Sequence, residues 1–307
     1  MHALSEEFEA GRGSVVKVAR EKATVLGYRA AHEAASLTPF YLGPVVAAFF
    51  GSASYALNAK KRKVVRENLA PVLERTPGER PESAVLNAFI SYAQYWFEAF
   101  KLGTTSLSKL ESLGRAEGIE NLYGAIEAKR GAIIVAPHLG NWDFAAAWID
   151  HRRIKLNAVV EKLEPEELFD WFVKRRAQFE VTAIAHDRNP MPKLIEAIRR
   201  NEVVALVADR SLDAASVEVE FFGRKVPFPM GPAVLALRTG APLLPTAAYL
   251  EPRGGHCLRI LPEIEIGERQ GLRIDVARIT QKIALAFEGL ILEAPEQWHV
   301  FQPLFGA

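Results

Sequence analysis

A histidine and an aspartate stand close together directly after a short apolar stretch. His138 and Asp143 follow the β-branched run Ile133 to Val135, which predicts a buried strand. Pro137 ends this strand, and a helix is expected from Trp142 to Trp148. In an α/β sheet, a ligand site is expected outside the carboxyl end of such a strand.

This pair has the chemistry of a general base and its partner. If the turn curls into the helix, the Asp143 carboxylate reaches one imidazole nitrogen of His138, fixes the tautomer and stabilises the imidazolium. The other nitrogen then accepts a proton from an attacking hydroxyl. An aspartate in the first turn of a helix also serves as a cap or dipole partner, so the spacing alone does not establish catalysis.

Charged residues also follow other predicted strands. Glu161 ends a strand predicted over residues 154–161, and Asp209 and Arg210 follow one predicted over residues 203–208. Because the carboxyl ends of parallel strands lie at one edge of a sheet, these groups are expected to converge with His138.

The alternation of strands and helices predicts an α/β fold with a mainly parallel central sheet flanked by helices. Residues 1–110 are expected to form an N-terminal helical, membrane-associating region, and residues 111–307 the α/β core, in one continuous domain. The uncharged stretch Leu37 to Leu57 and the basic run Lys60 to Arg66 favour peripheral attachment to an anionic membrane surface. A buried helix pair and a solvated helix face are the alternatives.

Composition and motifs argue against several classes of function. The 307 residues carry a net charge of +1, so no basic field indicates a nucleic-acid partner. The sequence has no HExxH or similar motif with the spacing of metal ligands, no Gly-rich phosphate loop and no GxSxG motif. Its one cysteine, Cys257, lies in a predicted strand and has no recognisable catalytic partner. No metal and no cofactor are therefore expected.

Direct transfer of an activated acyl group to a bound hydroxyl fits a histidine base that has no protein nucleophile beside it. His138 would deprotonate the alcohol, which attacks a thioester carbonyl. The oxyanion that forms then needs hydrogen-bond donors. Arg210 and the backbone N–H groups near Gly140 and Asn141 are both candidates, and the sequence does not decide between them.

The block His138-Leu139-Gly140-Asn141-Trp142-Asp143 resembles the HxGNW(D/E) signature of the lipid A late acyltransferase family. That family includes the actinobacterial phosphatidylinositol mannoside acyltransferases, and the resemblance covers the chain from about Ala19 to Phe305. The aspartate at position 143 and the ending Pro295 to His299 look more like the mannoside branch.

The resemblance implies a membrane-associated O-acyltransferase. The donor would be acyl-coenzyme A or acyl-carrier protein, and the acceptor a sugar hydroxyl of a glycolipid, with a phosphatidylinositol mannoside expected. The protein would lie peripherally on the cytoplasmic face of the plasma (inner) membrane. The alternatives are a lipid A-type or lysophospholipid acyltransferase, or a hydrolase that passes the acyl group to water with the same His/Asp pair.

The resemblance and the strand ends together suggest a set of substrate-binding residues. Glu161 and Arg176 match positions that look important in the mannoside branch, where an ion pair would shape the acceptor pocket; a surface salt bridge is the alternative. In the proline-rich loop Phe221 to Pro232, the phenylalanines Phe221, Phe222 and Phe228 either line an acyl channel or pack the loop. The full set is Asn141, Trp142, Glu161, Arg176, Asp209, Arg210, Phe221 and Phe228.

Overall fold

The computed structural model describes residues 21–78, 80–160, 165, 167, 179, 181–185, 189–211, 215–251 and 254–305. The helices in these ranges are α1 (residues 21–37), α2 (Gly43–Leu57), α3 (Ala59–Leu73), α4 (Pro81–Leu102), α5 (Leu107–Leu113), α6 (Ile119–Glu127), α7 (Trp142–Asp150), α8 (Met191–Arg199), α9 (Gly231–Thr239) and α10 (Leu272–Leu292). The strands are β1 (Gly114–Glu117), β2 (Ala132–Ala136), β3 (Leu156–Val160), β4 (Thr182–Ala185), β5 (Val203–Val207), β6 (Ser216–Phe221), β7 (Arg224–Pro229), β8 (Leu243–Leu250) and β9 (His256–Ile260). Short 3₁₀ turns span Phe40–Leu42 and Pro295–Gln297.

Seven of these strands form one sheet in the order β1-β9-β8-β2-β5-β3-β4. All neighbouring strands are parallel except β8 and β9, which are antiparallel. The predicted mainly parallel α/β sheet is therefore confirmed. The sequence analysis did not anticipate β1, because its four residues, Gly-Arg-Ala-Glu, lack the apolar pattern of a buried strand.

Apolar helix faces cover both sides of this sheet. On one side, α8, α9 and α10 share a buried cluster with β2, β5 and β8, and this cluster also contains Val65 and Leu69 of α3 and Val85 of α4. On the other side, α6 and α7 pack over alternate residues of the same strands. The N-terminal helices therefore share their core with the sheet.

One face of α2 packs closely on α4, while the other face is apolar and exposed. Gly43, Ala47 and Gly51 are buried at a spacing of four, and a Cβ added to Gly51 would lie 2.5 Å from the Cα of Ile90. Exposed apolar side chains from this part of the chain are Leu37, Tyr41, Val45, Phe49, Phe50 and Leu57. By length and composition, Phe40–Leu57 is the one candidate for crossing a membrane among the described residues, with 17% of it buried.

The segment that the sequence analysis interpreted as a loop before α9 is a β-hairpin. β6 and β7 pair in antiparallel register, and the two residues Phe222 and Gly223 connect them. Both have positive φ, 50° and 72°, which is typical of the two-residue turns that match strand twist. The prolines Pro227 and Pro229 are tolerated because the ribbon has only two strands. The helix α9 begins directly after this hairpin, at Gly231.

The turn from Pro137 to Asn141, which we call the His138 turn, depends on a glycine. Gly140 has φ +64°, and a Cβ at this position would lie 1.9 Å from the Ala248 carbonyl oxygen. Gly124, in the exposed part of α6, has nothing within 4 Å of an added Cβ.

These two glycines make a matched pair for a stability test. Gly140→Ala should lower the free energy of unfolding by at least ~1–3 kcal/mol, because it adds both strain at positive φ and a backbone overlap. Gly124→Ala should leave it unchanged or raise it by up to ~1 kcal/mol. Urea denaturation of both variants measures the difference. Equal stability of the two variants would contradict the described turn.

Candidate active site

Backbone hydrogen bonds fix the His138 turn against neighbouring elements. The Gly140 N–H donates to the Gln297 carbonyl at 2.9 Å, and the Asn141 N–H donates to the Ala248 carbonyl at 2.8 Å. Both N–H groups already donate to carbonyl oxygens inside the protein, so neither is available to an oxyanion. Of the two candidates that the sequence left open, Arg210 remains.

The ring of His138 bonds a buried carboxylate at the end of β5. Its Nδ1 lies 2.5 Å from Oδ1 of Asp209, and its backbone N–H donates to Oδ2 of Asp209 at 2.9 Å. The indole N–H of Trp298 also donates to Oδ2, at 2.8 Å. Asp209 has no exposed surface. A carboxylate 71 residues away in the sequence is thus joined to the histidine at two atoms.

The charge state of Asp209 determines the tautomer of His138. Burial alone would raise the pKa of Asp209, but the His138 ring and the N–H donors of Trp298 and His138 outweigh burial and lower this pKa below its ordinary value. The ionised carboxylate only accepts hydrogen bonds, so Nδ1 of His138 carries the proton. Nε2 of His138 is then the basic nitrogen.

Asp143 occupies a different place from the one its spacing predicts. Nδ1 of His138 bonds Asp209 instead, and Oδ2 of Asp143 accepts a hydrogen bond from the Tyr95 hydroxyl at 2.8 Å. The Tyr95 ring packs against Trp142, with their centres 4.3 Å apart. In the sequence, Tyr95 is one of several aromatic residues at helical spacing along α4, and this spacing gives no signal that its hydroxyl faces the site.

Asn141 stabilises the fold and does not face the cavity beside His138. Its side chain is 1% exposed, its Oδ1 caps α7 by accepting from the Phe144 N–H, and its Nδ2 donates to Glu98 at 2.7 Å. The same Glu98 oxygen lies 2.7 Å from Nε2 of His256. The expectation that Asn141 binds substrate is corrected, because both ends of its amide are already bonded inside the protein.

A second histidine, His299, lies beside His138. Its backbone N–H donates to the His138 carbonyl at 2.7 Å, and its Nε2 lies 2.9 Å from the Ser91 hydroxyl. Burial, helped by the nearby His138, lowers the pKa of His299 to about 3. His299 is therefore neutral near pH 7, and it adds no second positive charge next to the base.

A cavity of about 730 Å³ opens beside His138. Four of the predicted site residues line it: His138, Trp142, Asp143 and Arg210. Arg210 also donates to the side-chain oxygen of Gln302. Most of the remaining wall is apolar. It includes aromatic side chains of α4, such as Tyr92 and Trp96, and aliphatic side chains of β3, β5, α8 and α9; examples are Val159, Met191, Leu194, Leu206 and Val234.

Phe221 and Phe228 are core residues and do not line this cavity. Both have no exposed surface, and their rings pack on each other with centres 5.0 Å apart. Phe221 also packs on Trp298, and Phe228 on Phe287. The suggestion of an acyl channel is corrected, because the alternation along β6 and β7 points both rings into the core.

Two predicted residues, Glu161 and Arg176, lie outside the described residues. Among those that are described, no group of three or more His, Cys, Asp or Glu side chains is arranged to hold a metal ion. Burial raises the pKa of the Cys257 thiol to about 11, which keeps it protonated and unsuited to be a nucleophile.

Several known proteins have sequences similar to this chain. Residues 24–306 match the family described as bacterial lipid A biosynthesis acyltransferase. A phosphatidylinositol mannoside acyltransferase of Mycolicibacterium smegmatis is 35% identical over 283 residues, which is 91% of this chain and 90% of that protein. Proteins of the same name from Mycobacterium tuberculosis strains CDC 1551 and H37Rv are 37% identical over 297 residues, 95% of this chain and 90% of theirs. The chain is an acyltransferase that belongs to the bacterial lipid A biosynthesis acyltransferase family.

Proposed function

We propose that this acyltransferase moves a long-chain acyl group from a thioester donor to a sugar hydroxyl of a glycolipid, with a phosphatidylinositol mannoside as acceptor. The observation that carries the proposal is the His138–Asp209 pair at a mostly apolar cavity. The names of the similar mycobacterial proteins support the acceptor. The donor is acyl-coenzyme A or acyl-carrier protein, and the reaction needs no bound cofactor.

The proposed reaction uses His138 first as a base and then as an acid. Nε2 takes the proton of the acceptor hydroxyl while the alcohol oxygen forms a bond to the thioester carbonyl carbon. Asp209 stabilises the imidazolium through Nδ1–H. When the tetrahedral intermediate collapses, the carbon–sulfur bond breaks and the thiolate takes the proton back from Nε2. The products are an ester and a free thiol, and no covalent enzyme intermediate forms.

Arg210 is the proposed donor to the oxyanion. It lines the cavity directly after Asp209, and the turn N–H groups of Gly140 and Asn141 are bonded elsewhere. A guanidinium is always charged and supplies several N–H donors, which suits a negative oxygen that develops in the transition state.

The acceptor sugar is proposed to lie against Trp142 and Asp143. Both residues line the cavity next to His138, and the Trp142 ring lies edge-on to the His138 ring at 5.4 Å between centres. Asp143 is positioned by the Tyr95 hydroxyl, and a carboxylate there accepts hydrogen bonds from sugar hydroxyls. Glu161 and Arg176 remain proposed members of the acceptor pocket because of their resemblance to the mannoside branch.

Replacing Asp209 should remove almost as much activity as replacing His138. In Asp209→Asn, the amide oxygen has to face the N–H donors of Trp298 and His138, so the amide NH₂ faces Nδ1. That contact forces the proton of His138 onto Nε2, and the base is lost. The rate of acyl transfer should fall about 10³–10⁴-fold, with thioester binding unchanged.

Matched variants complete this test. His138→Ala should also abolish transfer, and Asp143→Asn should cost less than either, because it keeps an oxygen that can accept from Tyr95. Assays with purified protein, a thioester and a glycolipid measure each rate. Normal turnover in folded Asp209→Asn would rule out the proposed pair, and thioester loss without transfer to the glycolipid would support the hydrolase instead.

We further propose that the protein attaches peripherally to the cytoplasmic face of the plasma membrane through α2. Its exposed face carries Phe49 and Phe50, which are 68% and 61% exposed. The candidate span Phe40–Leu57 has 18 residues, which cover at most ~27 Å as an α-helix at 1.5 Å per residue, slightly less than a hydrocarbon core of ~30 Å. Because its glycine face is packed on α4, this helix is suited to lie in the interface.

The basic run after α2 divides into two parts. Lys60 and Lys61 are exposed, and they suit anionic headgroups. Arg62 instead donates to carbonyl oxygens at the end of α2, and Arg66 pairs with Glu82 at 2.8 Å. The proposed electrostatic contribution therefore comes from the lysines more than from the arginines.

Loss of the two α2 phenylalanines should weaken membrane binding. Phe49→Ser combined with Phe50→Ser should reduce binding to phosphatidylglycerol vesicles by tenfold or more, because each buried phenylalanine contributes ~1.5–3 kcal/mol. Leu285→Ser, at a 56% exposed leucine on α10, is the matched control and should bind normally. Co-sedimentation measures both, and added salt should weaken binding without abolishing it. If tags at the N- and C-termini were found on opposite sides of the vesicle membrane by protease accessibility, the chain would cross the membrane, and peripheral attachment would be contradicted.

A further inference from the structure

The C-terminal segment, residues 297–304, is bonded to both members of the base pair. The indole N–H of Trp298 donates to the Asp209 carboxylate. The backbone N–H of His299 donates to the carbonyl oxygen of His138 at 2.7 Å. The position of this segment therefore helps to determine where the basic nitrogen points.

The same segment contacts the proposed oxyanion donor. The side-chain oxygen of Gln302 accepts a hydrogen bond from the guanidinium of Arg210, and Val300, Phe301 and Gln302 line the cavity. A shift of the C-terminal segment would therefore move the surroundings of the base and of the oxyanion donor together.

One buried side chain of α3, Asn68, fixes the backbone of this segment. Its Nδ2 donates to the carbonyl oxygens of Val300 at 2.9 Å and Gln302 at 2.8 Å. Its Oδ1 accepts from the backbone N–H of Leu304 at 3.1 Å. Asn68 is 2% exposed. Because an asparagine amide has two N–H donors and one acceptor oxygen, all three groups of this amide are used on one segment.

Ring packing also holds the segment on the protein, but it fixes the backbone less tightly. The Phe301 ring packs on Phe89 and Tyr92, with centres 4.9 and 4.6 Å apart. Apolar contacts are not directional, whereas hydrogen bonds demand a defined distance and angle. Without the amide of Asn68, we expect the segment to stay in contact with α4 and to lose its exact placement.

We propose that Asn68 is a positioning residue for acyl transfer. By fixing the C-terminal segment, it sets the places of Trp298 and Gln302, and through them those of Asp209 and Arg210. This inference rests on the proposed function, because that function gives these groups their roles. No residue of α3 lines the cavity, so the helix contributes to the reaction without touching the substrate there.

Asn68→Ala should lower kcat more than it raises KM. A displacement of about 1 Å by a change remote from the chemistry is enough to reduce a rate by up to about a hundredfold, and we expect a loss of roughly ten- to a hundredfold per folded molecule. The indole N–H resonance of Trp298, assigned with Trp298→Phe, should also shift in the proton NMR spectrum. Asn68→Asp has the same size and should act alike, because a carboxylate donates no hydrogen bond to the two carbonyls.

Asn157→Ala is the matched control. Asn157 is 3% exposed, and its Nδ2 donates to the Glu202 carboxylate and to the Val203 carbonyl, with no bond to the C-terminal segment. This variant should lose thermal stability as Asn68→Ala does. Its kcat and its Trp298 resonance should stay those of the unchanged protein. A purely structural role of Asn68 would make the two variants alike.

The possible failures are distinguishable. If the unchanged protein transfers no acyl group to a glycolipid, the proposed function itself fails. If the unchanged protein is active and folded Asn68→Ala keeps its kcat or its Trp298 resonance, only the positioning role is overturned.

A second variant serves if Asn68→Ala does not fold. The hydroxyl of Asn68→Ser is too short to bond both carbonyls, so it should give the same two changes at smaller size. An unaltered kcat or resonance in folded Asn68→Ser would overturn the positioning role in the same way.

Discussion

The site depends on one fully buried carboxylate. Asp209 has no exposed surface, and a charge in such a place is costly unless hydrogen bonds compensate for it. The ring of His138, the backbone N–H of His138 and the indole of Trp298 supply three donors. These donors come from the turn after β2 and from the C-terminal segment, so a single charge joins three distant parts of the chain. Removing it would leave the half-buried His138 imidazole without a fixed tautomer.

The surrounding contacts hold that arrangement in place. The His138 turn is bonded through its backbone to β8 on one side and to the C-terminal segment on the other. Gln297 reinforces this link, because its side chain bonds both the N–H and the carbonyl of Leu250. Behind the turn, Asn141 joins α7 to the buried Glu98 of α4. A base held in this way loses little entropy when the substrate binds, and preorganisation of this kind is a major source of catalytic rate.

The sequence was sufficient to predict the sheet, the strand-turn-helix around His138 and the convergence of Asp209 with it. Strand periodicity and the rule that ligands bind at the carboxyl ends of parallel strands give these features directly. The partner of the ring was missed, because a spacing of five suggested Asp143 while tertiary contact brings Asp209 closer. The sequence left Phe221 and Phe228 open between lining an acyl channel and packing the loop, because the hairpin turn at Phe222 and Gly223 was not recognised.

The far-downfield region of the proton NMR spectrum tests the central claim, that Asp209 holds the proton of His138 on Nδ1. A hydrogen-bonded imidazole N–H next to a carboxylate gives a strongly downfield resonance, and His138→Gln assigns it apart from the signal of His256 beside Glu98. The resonance should persist in Asp143→Asn and disappear or move far upfield in Asp209→Asn. Its loss in Asp143→Asn and survival in Asp209→Asn would contradict the account.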